Sequence, residues 1–133
     1  MRRIVVGFIF VLLASLPARA QSEAVRSVIQ QQVEAFQAND NARAFSFASP
    51  SLQQMFRSSD NFVAMVQRGY PMVWRPSDVE FSSLRSERGR QFQTVIFTDQ
   101  QGDRHALEYE LSDAEGDWRI YSVVYLKTPD VGV

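Results

Sequence analysis

The chain has 133 residues, with 14 lysines and arginines against 15 aspartates and glutamates, and it contains no cysteine. Disulfides and thiolate metal sites are therefore excluded, and a single histidine supplies too few nitrogen ligands for an ordinary zinc site. Nucleic-acid phosphates are bound by clustered cationic side chains, which this near-neutral sequence lacks. We expect no metal, no cofactor and no nucleic-acid partner.

The first twenty residues have the layout of a secretory signal peptide. Two arginines precede an apolar run from Ile4 to Leu16, and Ala18-Arg19-Ala20 provides small residues before a cleavage site. The run is shorter than the roughly 20 residues that cross a bilayer, which disfavours a permanent membrane anchor. We expect an exported protein, periplasmic or extracellular, with a mature domain at residues 21–133. Its eleven basic and fifteen acidic residues give a formal charge of −4.

Short amphipathic helices are predicted for the first half of this domain. Ser22 is placed as the N-cap of a helix that ends near Asn39, and Asp40 as the cap of a second, shorter helix. Ser49-Pro50 combines a cap with a proline at the first helical position. Another cap signal, Ser58-Ser59-Asp60, begins a helix that ends at Gly69, where a left-handed residue is expected.

The second half changes to the alternation that is typical of strands. Four strands are predicted, each separated from the next by a short gap that contains a glycine: Val79–Arg85, Arg90–Thr98, Arg104–Leu111 and Trp118–Lys127. Gaps this short join antiparallel neighbours. The fold class is therefore α+β, with short N-terminal helices packed on one face of a curved four-stranded antiparallel meander, in a single domain.

Three segments carry a family resemblance: "FSFASPSLQQMF", "NFVAMVQRGYPMVWRP" and "DWRIYSV". Over roughly residues 22–126 the sequence resembles the exported bacterial family catalogued as domain of unknown function 4864. It also resembles the nuclear-transport-factor-2-like, or cystatin-like, superfamily. That superfamily includes isomerases, dehydratases, binding modules and dimer scaffolds, so the resemblance implies a fold rather than an activity.

Alternation assigns side chains to the two faces of the sheet. On the third strand His105 and Tyr109 share the apolar, inward face, while Glu108 and Glu110 point to solvent. The inward row of the last strand is Trp118, Ile120, Ser122, Val124 and Leu126; the outward row is Arg119, Tyr121, Val123, Tyr125 and Lys127. With no carboxylate in the inward rows, His105 is a weak candidate for a general base.

The stretch "RGYPMVWRP" at residues 68–76 is predicted to be a stiff extended connector, because proline disfavours helix for the residue before it. Alternation then places Tyr70, Met72 and Trp74 on one side, where they close the core or form the rim of a pocket. Arg75 faces the other way. The candidate ligand-binding residues are Tyr70, Met72, Trp74, His105 and Tyr109.

Three functions remain open at this point. The first is a non-catalytic exported domain that binds a small apolar or amphipathic ligand, or a protein partner. The second is a lyase or isomerase that uses His105 as base and Tyr70 or Tyr109 as acid. The third is a structural homodimer through the outer sheet face, which requires Tyr121, Val123 and Tyr125 to form an exposed apolar patch there.

Overall fold

Five helices precede four strands in the computed structural model, which describes Gly7 and residues 18–127. The helices are α1 Ala18–Gln37, α2 Asn41–Ser46, α3 Pro50–Phe56, α4 Ser59–Gly69 and α5 Pro71–Trp74. The strands are β1 Asp78–Glu87, β2 Arg90–Thr98, β3 Arg104–Ser112 and β4 Arg119–Tyr125. The predicted α+β architecture is confirmed, with every strand found within three residues of its predicted limits.

Side-chain caps begin the middle helices at the predicted positions. The side chains of Asp40, Ser49 and Ser58 accept hydrogen bonds from backbone N–H groups in the first turns of α2, α3 and α4. Ser22, in contrast, lies inside α1, because that helix already begins at Ala18. The left-handed conformation expected at Gly69 is also wrong: Gly69 is the last residue of α4 and has no positive φ.

The sheet is an antiparallel meander in the order β1-β2-β3-β4, as predicted. The β1–β2 turn consists of Arg88 and Gly89, which both have positive φ angles, 51° and 78°. Two-residue hairpins of this kind require positive φ at both positions, which explains the glycine. Within the described part of the chain, β1 and β4 are the two edge strands of the sheet. The helices cover the inner face of the sheet.

One apolar core joins the helices to the inner face of the sheet. Phe36 of α1 lies in it, with its ring centroid 6.0 Å from that of Phe62 and 5.7 Å from that of Trp74. The strands contribute Val95, Phe97, Leu107, Tyr109, Leu111 and Ile120, all of them buried. Burying apolar surface at about 25 cal/mol per Å² makes this core the main source of stability.

A bulge in β4 overturns the predicted rows of that strand. Leu111 pairs with Ile120 but Glu110 pairs with Ser122, so Tyr121 is an extra residue and the alternation changes phase there. Ser122 consequently lies on the outer face, where its hydroxyl donates to Glu110 at 2.9 Å. Val123, predicted to face outward, packs against the core instead. The predicted outer patch of Tyr121, Val123 and Tyr125 is therefore not formed.

The outer face of the sheet carries ion pairs. Glu108 and Glu110 lie there, as predicted, paired with Arg85 and Arg90 respectively. Desolvation raises the pKa of Glu110, but hydrogen bonds from Arg90 and Ser122 outweigh it and leave that pKa below its ordinary value. The outer face is thus charged, and its carboxylates are held by arginines.

The stretch at residues 68–76 is helical where an extended connector was predicted. Pro71 occupies the first turn of α5, a position that proline favours because it needs no backbone N–H there. Met72 and Val73 are consequently both buried, although strict alternation would have separated them. Tyr70 and Arg75, which precede the two prolines, have φ near −140°, so the predicted restriction acts only on these two residues.

The signal-peptide interpretation concerns residues 1–20, most of which lie outside the described residues. The cleavage site after Ala20 stays a prediction. No helix in the described part of the chain combines the length and the apolar character needed to cross a membrane.

Candidate functional site

A cavity lies between the inner face of the sheet and the helices. Four helices and the two last strands line it, including Gln32 and Phe36 from α1, Leu52 and Phe56 from α3, and Tyr109 from β3. Its volume is about 270 Å³. Helix α3 buries none of its residues, although its apolar side chains point to this space. The cavity therefore exists where a helix approaches the sheet without filling the gap.

The lining is apolar and uncharged. None of the described residues that line the cavity is an aspartate, glutamate, lysine, arginine or histidine. Met55, on α3, belongs to the lining and is 64% exposed, more than any other large apolar side chain in the described part of the chain. Its position marks the side on which the cavity meets solvent. Pockets of this kind, apolar with a few polar groups, are the usual form of small-molecule sites.

Tyr70 lies at the junction of α4 and α5 and lines the cavity. Its hydroxyl donates to the backbone oxygen of Val123 at 3.2 Å, and its ring stacks on that of Tyr125 with centroids 5.1 Å apart. The Tyr125 hydroxyl in turn donates to the backbone oxygen of Gly69. Burial, and then the nearby Tyr70, raise the pKa of Tyr125. These contacts tie the helical layer to the edge strand β4.

Tyr109 is the largest fully buried side chain, with 1% of its surface exposed, and it also lines the cavity. Burial, with a smaller contribution from the neighbouring Tyr70, raises the pKa of Tyr109 far above its ordinary value. A buried tyrosine of this kind stays neutral at physiological pH. The structure thus brings together two of the predicted candidates, Tyr70 and Tyr109, in one cavity.

Met72 and Trp74 do not belong to the described lining of the cavity. Met72 is buried in the core, and Trp74 packs against Phe36. Arg75 was predicted to face away from Trp74, and this is wrong: its guanidinium carbon lies 4.1 Å from the centre of the Trp74 ring. The same guanidinium donates to the backbone oxygen of Phe36 at 2.8 Å and to the side chain of Asn39 at 2.8 Å.

His105 lies outside the cavity lining, at the start of β3, next to the β2–β3 turn. The expectation that it has no carboxylate partner is wrong. Its Nε2 is 2.8 Å from Oδ2 of Asp99, a residue of the turn rather than of the inward row. The other carboxylate oxygen accepts from the backbone N–H groups of Gln101 and Asp103. The structure therefore places the histidine in a turn cluster, apart from the two cavity tyrosines.

The described residues contain no group of three or more histidine, cysteine or acidic side chains arranged to hold a metal ion. Cofactor recognition would also need polar or charged groups to orient the cofactor, and the cavity lining supplies few. The residues at this site suit an uncharged organic molecule.

Sequence reasoning missed Gln32 and Asp99. Gln32 is buried on α1, and its amide nitrogen donates to the backbone oxygen of Ala44 at 3.1 Å. Its position among the apolar residues of the amphipathic helix is a signal that could have identified it, because it lies between Ile29 and Phe36 on the inward side. Asp99 had the signal of a turn aspartate, and only the fold brings it to His105.

The sequence places the chain in a protein family. It belongs to the family described as domain of unknown function 4864, whose family model matches residues 18–133.

Among solved structures the chain is similar to a designed protein whose name begins Rd1NTF2_05, with a TM-score of 0.55 and 15% sequence identity. The similarity covers 80% of this chain and 99% of the designed one. A comparison with curated proteins found no match. The fold is thus the α+β arrangement of nuclear-transport-factor-2-like proteins.

Proposed function

We propose that this domain binds a small apolar molecule in the cavity between the helices and the sheet. The observation that carries the proposal is the cavity itself, about 270 Å³ with an apolar lining and no charged side chain in its described part. Unfilled space in a protein interior costs stability, because the lining atoms lose their packing partners. A ligand in the cavity restores those contacts, and its own apolar surface is removed from water. Both effects favour binding.

Binding is favoured over catalysis by the distribution of titratable groups. A general base must lie within hydrogen-bond reach of the proton it removes. His105 is not part of the cavity lining, while Tyr70 and Tyr109 are, so the acid and the base of the lyase or isomerase alternative are separated. The raised pKa of Tyr109 also makes this hydroxyl a weak proton donor for acid catalysis.

Binding is favoured over a structural dimer by the bulge in β4. It divides the aromatic and aliphatic residues of the strand between the two faces, and the outer face carries ion pairs such as Arg85–Glu108. A dimer through this face would have to desolvate those charges, which is costly. A ligand in the cavity does not meet this cost.

The proposal includes export. Its support is the order of charged, apolar and small residues at positions 1–20, which resembles a cleavable signal peptide. The binding domain would then act outside the cytoplasm, beginning at Gln21. Sequencing the N-terminus of the exported protein tests this part, and a chain that keeps residues 1–20 after export would contradict it.

Naphthalene is a suitable probe for the binding proposal, because it is apolar, uncharged and small. We expect isothermal titration with the domain to give a Kd of about 10–100 μM, the range that about ten carbon atoms in an apolar site can provide. Leu52→Trp, which puts a larger side chain on the half-buried lining of α3, should weaken binding at least about tenfold by occupying the cavity.

Ile96→Trp is the matched control, since Ile96 lies on β2 between the buried Val95 and Phe97 and so points to the outer face. This variant should keep the affinity of the original protein. Undetectable naphthalene binding, or equal affinity in Leu52→Trp and the original protein, would contradict the proposed site.

A further inference from the structure

The polar atoms of the cavity differ in whether they already have partners. The Tyr70 hydroxyl is used by the backbone oxygen of Val123, and the Ser122 hydroxyl by Glu110 on the outer face. Three other lining residues, Gln32, Tyr109 and Tyr121, have polar atoms that no described residue satisfies, and of these residues Gln32 and Tyr109 are buried. These atoms decide what a ligand must offer, because a buried polar group without a partner is costly.

The Tyr109 hydroxyl is the first of them. Neither a side chain nor a backbone group of the described residues is hydrogen-bonded to it, and the causes of its raised pKa are burial and the charge of Tyr70 alone. The only described side-chain oxygen or nitrogen that is both sealed from solvent and unpartnered is Oε1 of Gln93. The Tyr109 hydroxyl therefore remains accessible, and the cavity that this buried residue lines is the space it can reach.

The amide oxygen of Gln32 is the second. The amide nitrogen donates to the backbone oxygen of Ala44, which fixes the orientation of the side chain. No described residue donates to the amide oxygen, and it too is not sealed from solvent. Gln32 is only 4% exposed and lines the cavity, so the cavity is the space in which this acceptor can meet a ligand.

We infer that the cavity selects an uncharged ligand with one hydroxyl group on an apolar body. The inference rests on the proposed binding function and narrows it to a chemical class. A hydroxyl is both a donor, as the Gln32 oxygen requires, and an acceptor, as the Tyr109 hydroxyl requires, and this matches one free acceptor and one neutral donor. A carboxylate would find no cation in the described lining, and an ammonium would find no anion.

The size of the cavity limits the body of the ligand. A protein cavity of about 150 Å³ accommodates benzene, and drug-sized ligands occupy about 300–1,000 Å³. The volume of about 270 Å³ lies between these values. A bicyclic phenol such as 2-naphthol fits this interval. Naphthalene has the same ring system without the hydroxyl, and 2-naphthoate has a charged carboxylate in place of the hydroxyl.

The test compares the affinities of these three probes for the full domain by isothermal titration. We expect 2-naphthol to bind about five- to tenfold more tightly than naphthalene, as one satisfied pair of hydrogen bonds provides, and 2-naphthoate to bind more weakly than either. Tyr109→Phe should remove most of the preference for 2-naphthol while leaving naphthalene binding within about twofold.

Tyr70→Phe is the matched control, because it deletes a hydroxyl that also lies at the cavity but is already hydrogen-bonded to Val123. It should keep the ratio of the 2-naphthol and naphthalene affinities, even if both affinities fall. Gln32→Leu should reduce the ratio as Tyr109→Phe does, and the ratio is insensitive to a general loss of stability.

The outcomes separate this inference from the proposed function. Equal affinities of 2-naphthol and naphthalene, or a preference that survives Tyr109→Phe, would overturn the hydroxyl inference and leave the apolar site intact. Binding of 2-naphthoate as tight as that of 2-naphthol would overturn the requirement for an uncharged ligand. Failure of all three probes to bind would overturn both the inference and the proposed function.

Discussion

Helices α3 and α5 begin alike and have opposite surroundings. Each has a proline in its first turn, yet α3 buries none of its residues while α5, with only four, buries Met72 and Val73. The residues after the proline explain this, because α3 continues as Ser-Leu-Gln-Gln-Met-Phe, half of it polar, whereas α5 continues as Met-Val-Trp. Proline thus sets where a helix begins, and the following residues set its depth. One end of the inner space is left open beside α3 and the other is closed by α5.

The largest effects should separate these two helices. Met72→Ala deletes a core side chain that is 5% exposed, and we expect it to lower the free energy of unfolding by about 2–4 kcal/mol. Leu52→Ala, on the open side, should cost less than about 1 kcal/mol, because its side chain borders an existing cavity. Urea unfolding of both variants measures the difference. Equal losses would show that α3 is packed as tightly as α5.

Arg75→Ala should have the next largest effect, about 1–3 kcal/mol. The substitution leaves the backbone oxygen of Phe36 without its donor and removes the cation from the Trp74 ring. Arg68→Ala, at an exposed position in the last turn of α4, is the control and should change stability by at most about 0.5 kcal/mol. If the two alanine variants unfold at the same urea concentration, Arg75 does not brace the closed end.

Tyr70→Phe tests the boundary between the two ends, since Tyr70 precedes α5 and lines the cavity. Loss of the hydrogen bond to the Val123 oxygen should cost about 1 kcal/mol. Hydrogen exchange at β4 should accelerate in this variant, because the hydroxyl fastens the helical layer to that strand. Unchanged exchange at β4 would mean that the stacked Tyr125 alone holds the layer in place.

The smallest effect concerns the β2–β3 turn, which contains Asp99. The hydrogen bond from His105, aided by the backbone N–H groups of Asp103 and Gln101, lowers the pKa of Asp99 from 3.8 despite some desolvation. A carboxylate whose pKa is lowered by folding stabilises the fold above its unfolded-state pKa, and this contribution disappears as the pH falls through the folded-state pKa. Unfolding midpoints measured below about pH 4 should therefore decline less steeply in Asp99→Asn than in the original protein. Parallel declines would contradict this linkage.

The strands and the capped helices could be predicted from the sequence because their signals are local. Asp40, Ser49 and Ser58 cap helices through atoms three residues away, and alternation along β3 gives the faces of Leu107 and Tyr109 correctly. Such signals depend on neighbouring residues alone.

The remainder depends on contacts between distant residues. The bulge in β4 could not be predicted from the sequence, because the two alternating sets of side chains along the strand are about equally apolar. Composition therefore does not indicate which set faces the core. Asp99 reaches His105 only when β2 and β3 pair. Of the candidate site, Tyr70 and Tyr109 were predicted, while Gln32 was missed because a glutamine in an amphipathic helix is normally assigned to its polar side.

The extra residue in β4 gives this strand an unusual relation to inherited change. Tyr121 is the residue that the pairing with β3 skips. Losing that single codon would therefore remove the bulge and leave Ile120, Val123 and Tyr125 facing the helices as they do now. In β2, which pairs with β3 without a bulge, the same loss would transfer every later side chain of the strand to the opposite face. The bulge thus makes β4 tolerant of a one-residue deletion that its neighbours in the sheet do not all tolerate.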